Sequence, residues 1–141
     1  MFVLDTNVIS ELRQGKPRQL PEVRAWAASQ SASQLFLSAI CILELEKDVL
    51  SLERRTLPEG SALRVWLTGV RATFAGRILP FTESTAALCA AMHIPNPRPD
   101  RDAMIAATAL EHGMTMVTRN VADFAGTGVK LVNSFEISGK P

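Results

Sequence analysis

Apolar residues come in short bursts, each followed by a run at helical spacing. Phe2-Val3-Leu4 is one such burst, and it stops at a charged residue, Asp5. Val8, Ile9 and Leu12 then recur at i, i+1 and i+4, which predicts a helix from Thr6 to about Gln14. Gly15-Lys16-Pro17 breaks it. Pro21-Glu22-Val23 opens a second helix through Ala25, Trp26 and Ala27, with proline in the first turn and an acid beside it. Leu35-Phe36-Leu37 reads as a second strand, and Ser38 caps a third helix reaching about Ser51. Pro58-Glu59-Gly60 reads as a break. The next helix carries Leu63, Trp66, Leu67, Val70 and Phe74 on one stripe, with Arg64, Thr68 and Arg71 beside it. Gly76 ends that helix.

Arg77-Ile78-Leu79-Pro80 is a third short strand. Thr82 caps an alanine-rich fifth helix that ends at Ile94-Pro95. Pro95-Asn96-Pro97-Arg98-Pro99 cannot be helical and forms a stiff loop. Asp100 is placed to cap a helix over Ala103–Glu111, with Gly113 at its end. Met114-Thr115-Met116-Val117 is a fourth strand. The polar turn Thr118-Arg119-Asn120 leads to a short turn or helix around Asp123-Phe124, and Lys130-Leu131-Val132 is a fifth strand. Strands alternating with helices imply parallel pairing. The expected fold class is α/β: a central, mostly parallel five-stranded sheet with helices on both faces. No repeat or linker divides the chain, so one domain over residues 1–141 is expected.

Composition narrows the choice of partner and compartment. At 141 residues and 47% hydrophobic, the chain can bury a full core. Its 15 basic and 14 acidic side chains nearly cancel, so any nucleic acid must be met by a local positive surface. Cys41 and Cys89 lie in apolar helical contexts, away from any Cys or His at metal-ligand spacing. They read as buried free thiols in a reducing cytosol. The start has no basic leader pattern, and the apolar runs around Leu35–Leu43 and Ala86–Met92 are too short to cross a membrane. A soluble cytoplasmic protein is expected.

In open parallel α/β sheets, ligands bind at the carboxyl ends of the strands. Asp5 ends the first strand, Glu44 and Glu46 follow the second, Asp102 follows the rigid proline-rich loop, and Asn120 and Asp123 follow the fourth. Each acid alone has an ordinary explanation. Asp5 can cap a helix, Asp102 can favour a helix dipole, Glu44 can sit on a helix surface, and Asp123 can form a turn. Helical periodicity does not choose between Glu44 and Glu46. Together, carboxylates at one end of one sheet would repel and take up protons unless a cation lay among them. An all-oxygen donor set suits Mg2+ or Mn2+, and the chemistry such a site performs is phosphodiester hydrolysis.

Four stretches carry a resemblance to a known family: LDTNVISEL at 4–12, SAICILELEKDVL at 38–50, DAMIAATAL at 102–110 and TRNVADFAGTGVKLVN at 118–133. In this order and spacing they resemble the PIN-domain ribonucleases, above all the VapC- and FitB-type toxins of toxin–antitoxin pairs. The resemblance implies a metal-dependent endoribonuclease, a hydrolase. It puts Asp5, Glu44 and Asp102 at the family's acidic positions, so it chooses Glu44 over Glu46. The fourth position is shared between Asp123, as an outer or second-metal ligand, and Asn120, as a positioning neighbour. Asp5 and Asp102 would hold the principal Mg2+ or Mn2+, and Glu44, also a metal ligand, would orient and deprotonate the attacking water. Thr6, Asn7 and Thr118 would support the carboxylates. Cys41 departs from the Thr or Ser that relatives often carry there, which removes a good hydrogen-bond donor.

The same resemblance implies a DNA-binding antitoxin whose tail fills the acidic groove, and pairing into a homodimer. Trp66 and Leu67 are candidates for such an interface, with plain core as the other reading. The RNA target is expected to be single-stranded or looped. Arg54, Arg55, Arg64, Arg71, Arg98, Arg101 and Arg119 could meet its phosphates, Arg98, Arg101 and Arg119 being nearest the acids. His93 and His112 have no partner suggesting triad chemistry and are expected to be structural or exposed. Two other readings are a receiver-like signalling domain and a catalytically silent PIN-like regulatory binding module. The first lacks its acid pair and its lysine after the last strand, and the intact acids oppose the second.

Overall fold

A computed structural model describes residues 1–13 and 19–135. Its centre is a five-stranded sheet built from β1 (Phe2–Leu4), β2 (Leu35–Ser38), β3 (Ile78–Leu79), β4 (Thr115–Val117) and β5 (Lys130–Val132). The strand order is β3-β2-β1-β4-β5. Every pairing is parallel: Phe2 faces Leu35 and Thr115, Leu37 faces Ile78, and Thr115 faces Lys130. β1 is central, and Val3 and Leu4 are completely buried, as a strand covered on both faces requires.

Six helices connect the strands: α1 (Thr6–Glu11), α2 (Pro21–Ala28), α3 (Ala39–Arg55), α4 (Leu57–Thr73), α5 (Glu83–Met92) and α6 (Asp100–Glu111). The chain steps outward from β1 to β2 to β3, then returns to β4 on the other side of β1. Right-handed crossovers place the helices of these two excursions on opposite faces. The expected α/β architecture is thus the observed one.

α6 lies close against β1 and β4 because its inner face is small: Ala103, Ala106, Ala107 and Ala109 are fully buried around Ile105. α3 and α4 form a tight hairpin through Leu45, Val49, Leu67 and Val70. At Gly60 a Cβ would fall 2.4 Å from the Glu53 backbone, so this crossing admits only glycine. Leu67 is buried in this core, so of its two readings plain core is the observed one.

Several boundaries differ from the sequence reading. α1 stops at Glu11, and the predicted end at Gln14 lies outside the described residues. Glu11 is buried and accepts the Leu20 N–H at 2.6 Å, which ties the end of α1 to the residue before α2. α3 runs beyond Ser51 to Arg55, with Arg54 and Arg55 favouring its C-terminal dipole. Pro58-Glu59-Gly60 is the first turn of α4 rather than a break, since proline is tolerated there. Asp100 is helical, and the cap position is Pro99, whose side chain makes no capping bond. Other expectations held: the Ser38 side chain accepts Ile40 N–H at 3.0 Å, and Thr82 and Thr85 form a reciprocal capping box. Among the described residues, no helix is long and apolar enough to cross a membrane.

Candidate active site

The strand order reverses at β1, so the loops after β1 and β4 splay apart and leave a crevice at their carboxyl ends. Asp5 stands there. Its backbone is locked by Asp5 N–H to Val117 carbonyl at 2.9 Å, and its carbonyl accepts from Val8 and Ile9. Its side chain caps α1 by accepting Thr6 N–H at 2.8 Å. The capping reading of Asp5 is therefore the observed one, and the same carboxylate stands at the crevice.

Asp5 is 1% exposed, and among the described residues no basic side chain pairs with it. Neutral donors surround it instead. Thr118 Oγ1 donates to Oδ2 at 2.7 Å and Asn7 Nδ2 donates at 3.3 Å. Burial first, then the field of Asp102, pushes its carboxyl up to about 7; Thr118 and the Thr6 backbone pull the other way, and Glu44 adds a smaller push.

Glu44 comes from α3, one turn and a half past the Ser38 cap. Thr6 Oγ1 donates to Glu44 Oε1 at 2.6 Å, so the residue after Asp5 aims the second acid. Asp102 sits in the first turn of α6, half-buried. Burial, then Glu44, then Asp123 raise its carboxyl, while a hydrogen bond from Asn120 lowers it. Asp5, Glu44 and Asp102 thus share one field. Asn120 touches Asp102, and its own N–H donates to Thr118 Oγ1 at 3.0 Å. Asp123 is exposed in a 3₁₀ turn, Val121–Phe124, and reaches the group only through its charge on Asp102.

Glu46 points away into the α3–α4 hairpin. Arg64 Nη1 donates to both its oxygens at 2.8 Å, and Arg71 lies 3.7 Å off. Arg64 also holds Glu53, and these two acids raise its own pKa further. Arg64 is thereby removed from the candidate RNA contacts. Arg98 is removed too. Its guanidinium bonds the Met92, Asp123 and Ala125 carbonyls, so it staples the proline-rich loop to the turn carrying Asp123. Nothing in the pattern of the sequence signals that role. Arg101 and Arg119 remain beside the acids: Arg101 Nη1 is 4.0 Å from Glu44 Oε2, and Arg119 is exposed on the rim.

Cys41 is fully buried beneath the acids. Burial pushes its thiol up to about 12, against a hydrogen bond with Thr6, so a neutral group fills the place. His93 closes α5 and accepts Arg98 N–H at Nδ1, 3.1 Å, a structural role. His112 is exposed at the end of α6. The apolar clefts lie elsewhere. One of about 240 Å³, between α1, α3 and α4, has half-buried Trp66 in its wall.

A divalent cation fits the donors present by chemistry. They are carboxylate oxygens with neutral amide and hydroxyl support, and among the described residues Asp5 is a buried acid without a counter-charge. Among the described residues no three His, Cys, Asp or Glu side chains close into a ready-made cage. Mg2+ needs none, because it takes one or two carboxylates and completes its shell with water and substrate phosphate.

A doubly wound parallel sheet with an acidic crevice at its switch point is the class of protein these features define. The PIN-domain family model matches residues 2–128, and the chain belongs to the PIN-domain family. It is 37% identical to the VapC ribonuclease Y4jK of Sinorhizobium fredii over 96% of this chain and 99% of that relative. It is 34% identical to Toxin FitB of Neisseria gonorrhoeae over 94% and 97%. Among solved structures, a chain of the FitAB complex bound to a DNA fragment matches with a TM-score of 0.87 at 33% identity, over the whole length of both. This membership sets aside the receiver-like reading.

Proposed function

We infer that the protein is an endoribonuclease toxin: with Mg2+ or Mn2+ in the acidic crevice it hydrolyses RNA phosphodiester bonds, and a cognate antitoxin restrains it. The observation that carries the reading is Asp5, a carboxylate buried at the switch point with three neutral donors, two acidic neighbours and no cationic partner among the described residues. Such an arrangement is costly on its own and becomes favourable around a cation.

Asp5 and Asp102 are the residues that would hold the ion. When bound, it would neutralise the acids and draw charge from the phosphodiester. Thr118 and Asn7 fix the Asp5 oxygens, and Asn120 fixes Asp102. Glu44, aimed by Thr6, takes a proton from water. The water oxygen then forms the new bond to phosphorus as the ester oxygen departs. Asp123, on the rim and within the field of Asp102, would serve as an outer ligand of the ion or of its waters. Arg101 and Arg119 supply local positive charge for the strand.

The matches to VapC and FitB proteins and to the FitAB complex support an antitoxin partner. A homodimer and a cytoplasmic setting go with this reading. The test is cleavage of single-stranded RNA by the purified chain in Mn2+, with EDTA and an Asp5→Asn variant as controls. Cleavage that EDTA and Asp5→Asn both abolish, with the variant still folded, is the expected result. Cleavage that survives either change overturns the site.

A further inference from the structure

The rim of the crevice carries a cation–ring pair whose arginine the proposed chemistry uses only for its charge. The Arg119 guanidinium carbon lies 4.0 Å over the centre of the Phe135 ring. The pair is held in place from both sides. Asn133 Nδ2 donates to the Arg119 carbonyl at 3.4 Å, and Asn133 Oδ1 accepts Phe135 N–H at 2.9 Å. One asparagine therefore clamps the turn after β4 to the chain after β5. Arg119 N–H also donates to Asn7 Oδ1 at 3.4 Å, and Asn7 is a donor to Asp5. The next residue, Asn120, bonds Asp102. The stack is thus braced against two of the three central acids.

Other arginines of the fold spend their guanidinium groups: Arg64 on Glu46 and Glu53, Arg77 and Arg98 on backbone carbonyls. Among the described residues, the Arg119 guanidinium makes no hydrogen bond or ion pair, only the ring contact. Arg119 is exposed and its guanidinium carbon lies over the half-buried Phe135 ring, so the arginine is open to a ligand on the side away from the ring. A flat, oriented cation beside an acidic cluster recognises two things at once: a nucleobase by stacking and a phosphate by charge.

We propose that Arg119 and Phe135 form a base-binding step, in which an unpaired RNA base stacks on the outward face of Arg119 and sets the adjoining phosphodiester over the carboxylates. The proposal rests on the RNA-cleaving reading. Such a step favours single strands, because bases in a duplex have both faces covered by neighbours. Arg119 and Phe135 are positioning residues here, since they act on the strand and not on the reacting phosphate.

The test uses the whole chain with short single-stranded RNAs carrying 2-aminopurine at successive positions, in Ca2+, with fluorescence read on mixing. Stacking should quench the probe at one position. Arg119→Ala and Phe135→Leu should each weaken binding by about tenfold, the cost of losing one stacked base. Arg119→Lys, which keeps the charge but not the plane, should weaken it as well. Deleting the quenched base should weaken binding to wild type by the same factor and leave Arg119→Ala unchanged. Equal losses in wild type and variant on base deletion overturn the stacking step, and so does full binding by Arg119→Lys. If wild type cleaves and binds RNA in those cases, the nuclease reading stands without the step. If wild type binds no RNA at all, both fall.

Discussion

Thr118 donates its hydroxyl to Asp5 at 2.7 Å, a fully buried bond between residues 113 positions apart. It joins the ends of β1 and β4, the two strands that flank the switch point. The same oxygen accepts Asn120 N–H, so one hydroxyl positions two residues of the crevice.

Replacing Thr118 with valine keeps its shape and removes the hydroxyl. Asp5 then keeps fewer donors in a buried site, which costs about 1–3 kcal/mol. The loss should be larger at alkaline than at acid pH, because a hydroxyl bonds an ionised carboxylate more strongly than a neutral one. Urea unfolding at the two pH values measures both. A variant as stable as wild type at alkaline pH would show that this bond does not support Asp5.

The raised pKa of Asp5 makes stability pH-dependent in a stated direction. Its ordinary value is 3.8, and in the fold it stands at about 7. Between those values the folded chain binds more protons than the unfolded one, so stability falls as pH rises through this window and levels off above it. A shift of this size corresponds to about 4 kcal/mol from this group. Without added metal, Asp5→Asn should therefore gain on wild type steadily from about pH 4 to pH 8. Above pH 7, added Mg2+ or Mn2+ should restore wild type by mass action and leave Asp5→Asn where it was. Parallel pH profiles for the two proteins would contradict the assignment.

Gly60 tests the α3–α4 hairpin apart from the crevice. A Cβ there would press on the Glu53 backbone, which cannot swing aside as a side chain would. Gly60→Ala should cost about 1–3 kcal/mol through overpacking, although alanine is the better helix former. A calorimetric melt at unchanged or higher temperature would show that the helices separate freely.

Gly60 also illustrates where the sequence stops informing. Its pattern reads as a break because Pro58 and Gly60 stand together, while the structure uses one as a helix start and the other as a crossing point. Such a role depends on which helix packs alongside, and local spacing does not carry that. β1 and the Ser38 and Thr82 caps are legible because their causes are local: an apolar run, or a hydroxyl beside a free N–H. The place of Asp5 beside a crevice is legible because strand ends locate one in any parallel sheet, whereas only the family resemblance separates Glu44 from Glu46 in α3. Arg98 and Arg64 are not, because the carbonyls and acids that absorb their charge come from distant turns. Phe135 has no periodic neighbours after β5, so nothing marks it before Arg119 is seen above it.

Glu44 and Glu46 provide the sharpest separation. They stand two residues apart on α3, and helical spacing alone treats them alike. In the fold, Glu44 accepts from Thr6 in the crevice, whereas Glu46 is held by Arg64 in the hairpin. Glu44→Gln retains an oxygen for the Thr6 hydroxyl, so the fold should keep its melting temperature. It loses the base, and RNA cleavage should fall by roughly 10²–10⁴. Thr6→Val, which misaims Glu44 and leaves Cys41 without its hydroxyl neighbour, should fall by about 10–100-fold. Glu46→Gln should cleave as wild type and melt somewhat lower, because Arg64 and Arg71 lose their shared acid. Cleavage rates and melting curves for these three variants decide which acid the chemistry uses. Loss of cleavage in Glu46→Gln with full activity in Glu44→Gln would exchange the two roles and with them the orientation of α3 toward the substrate.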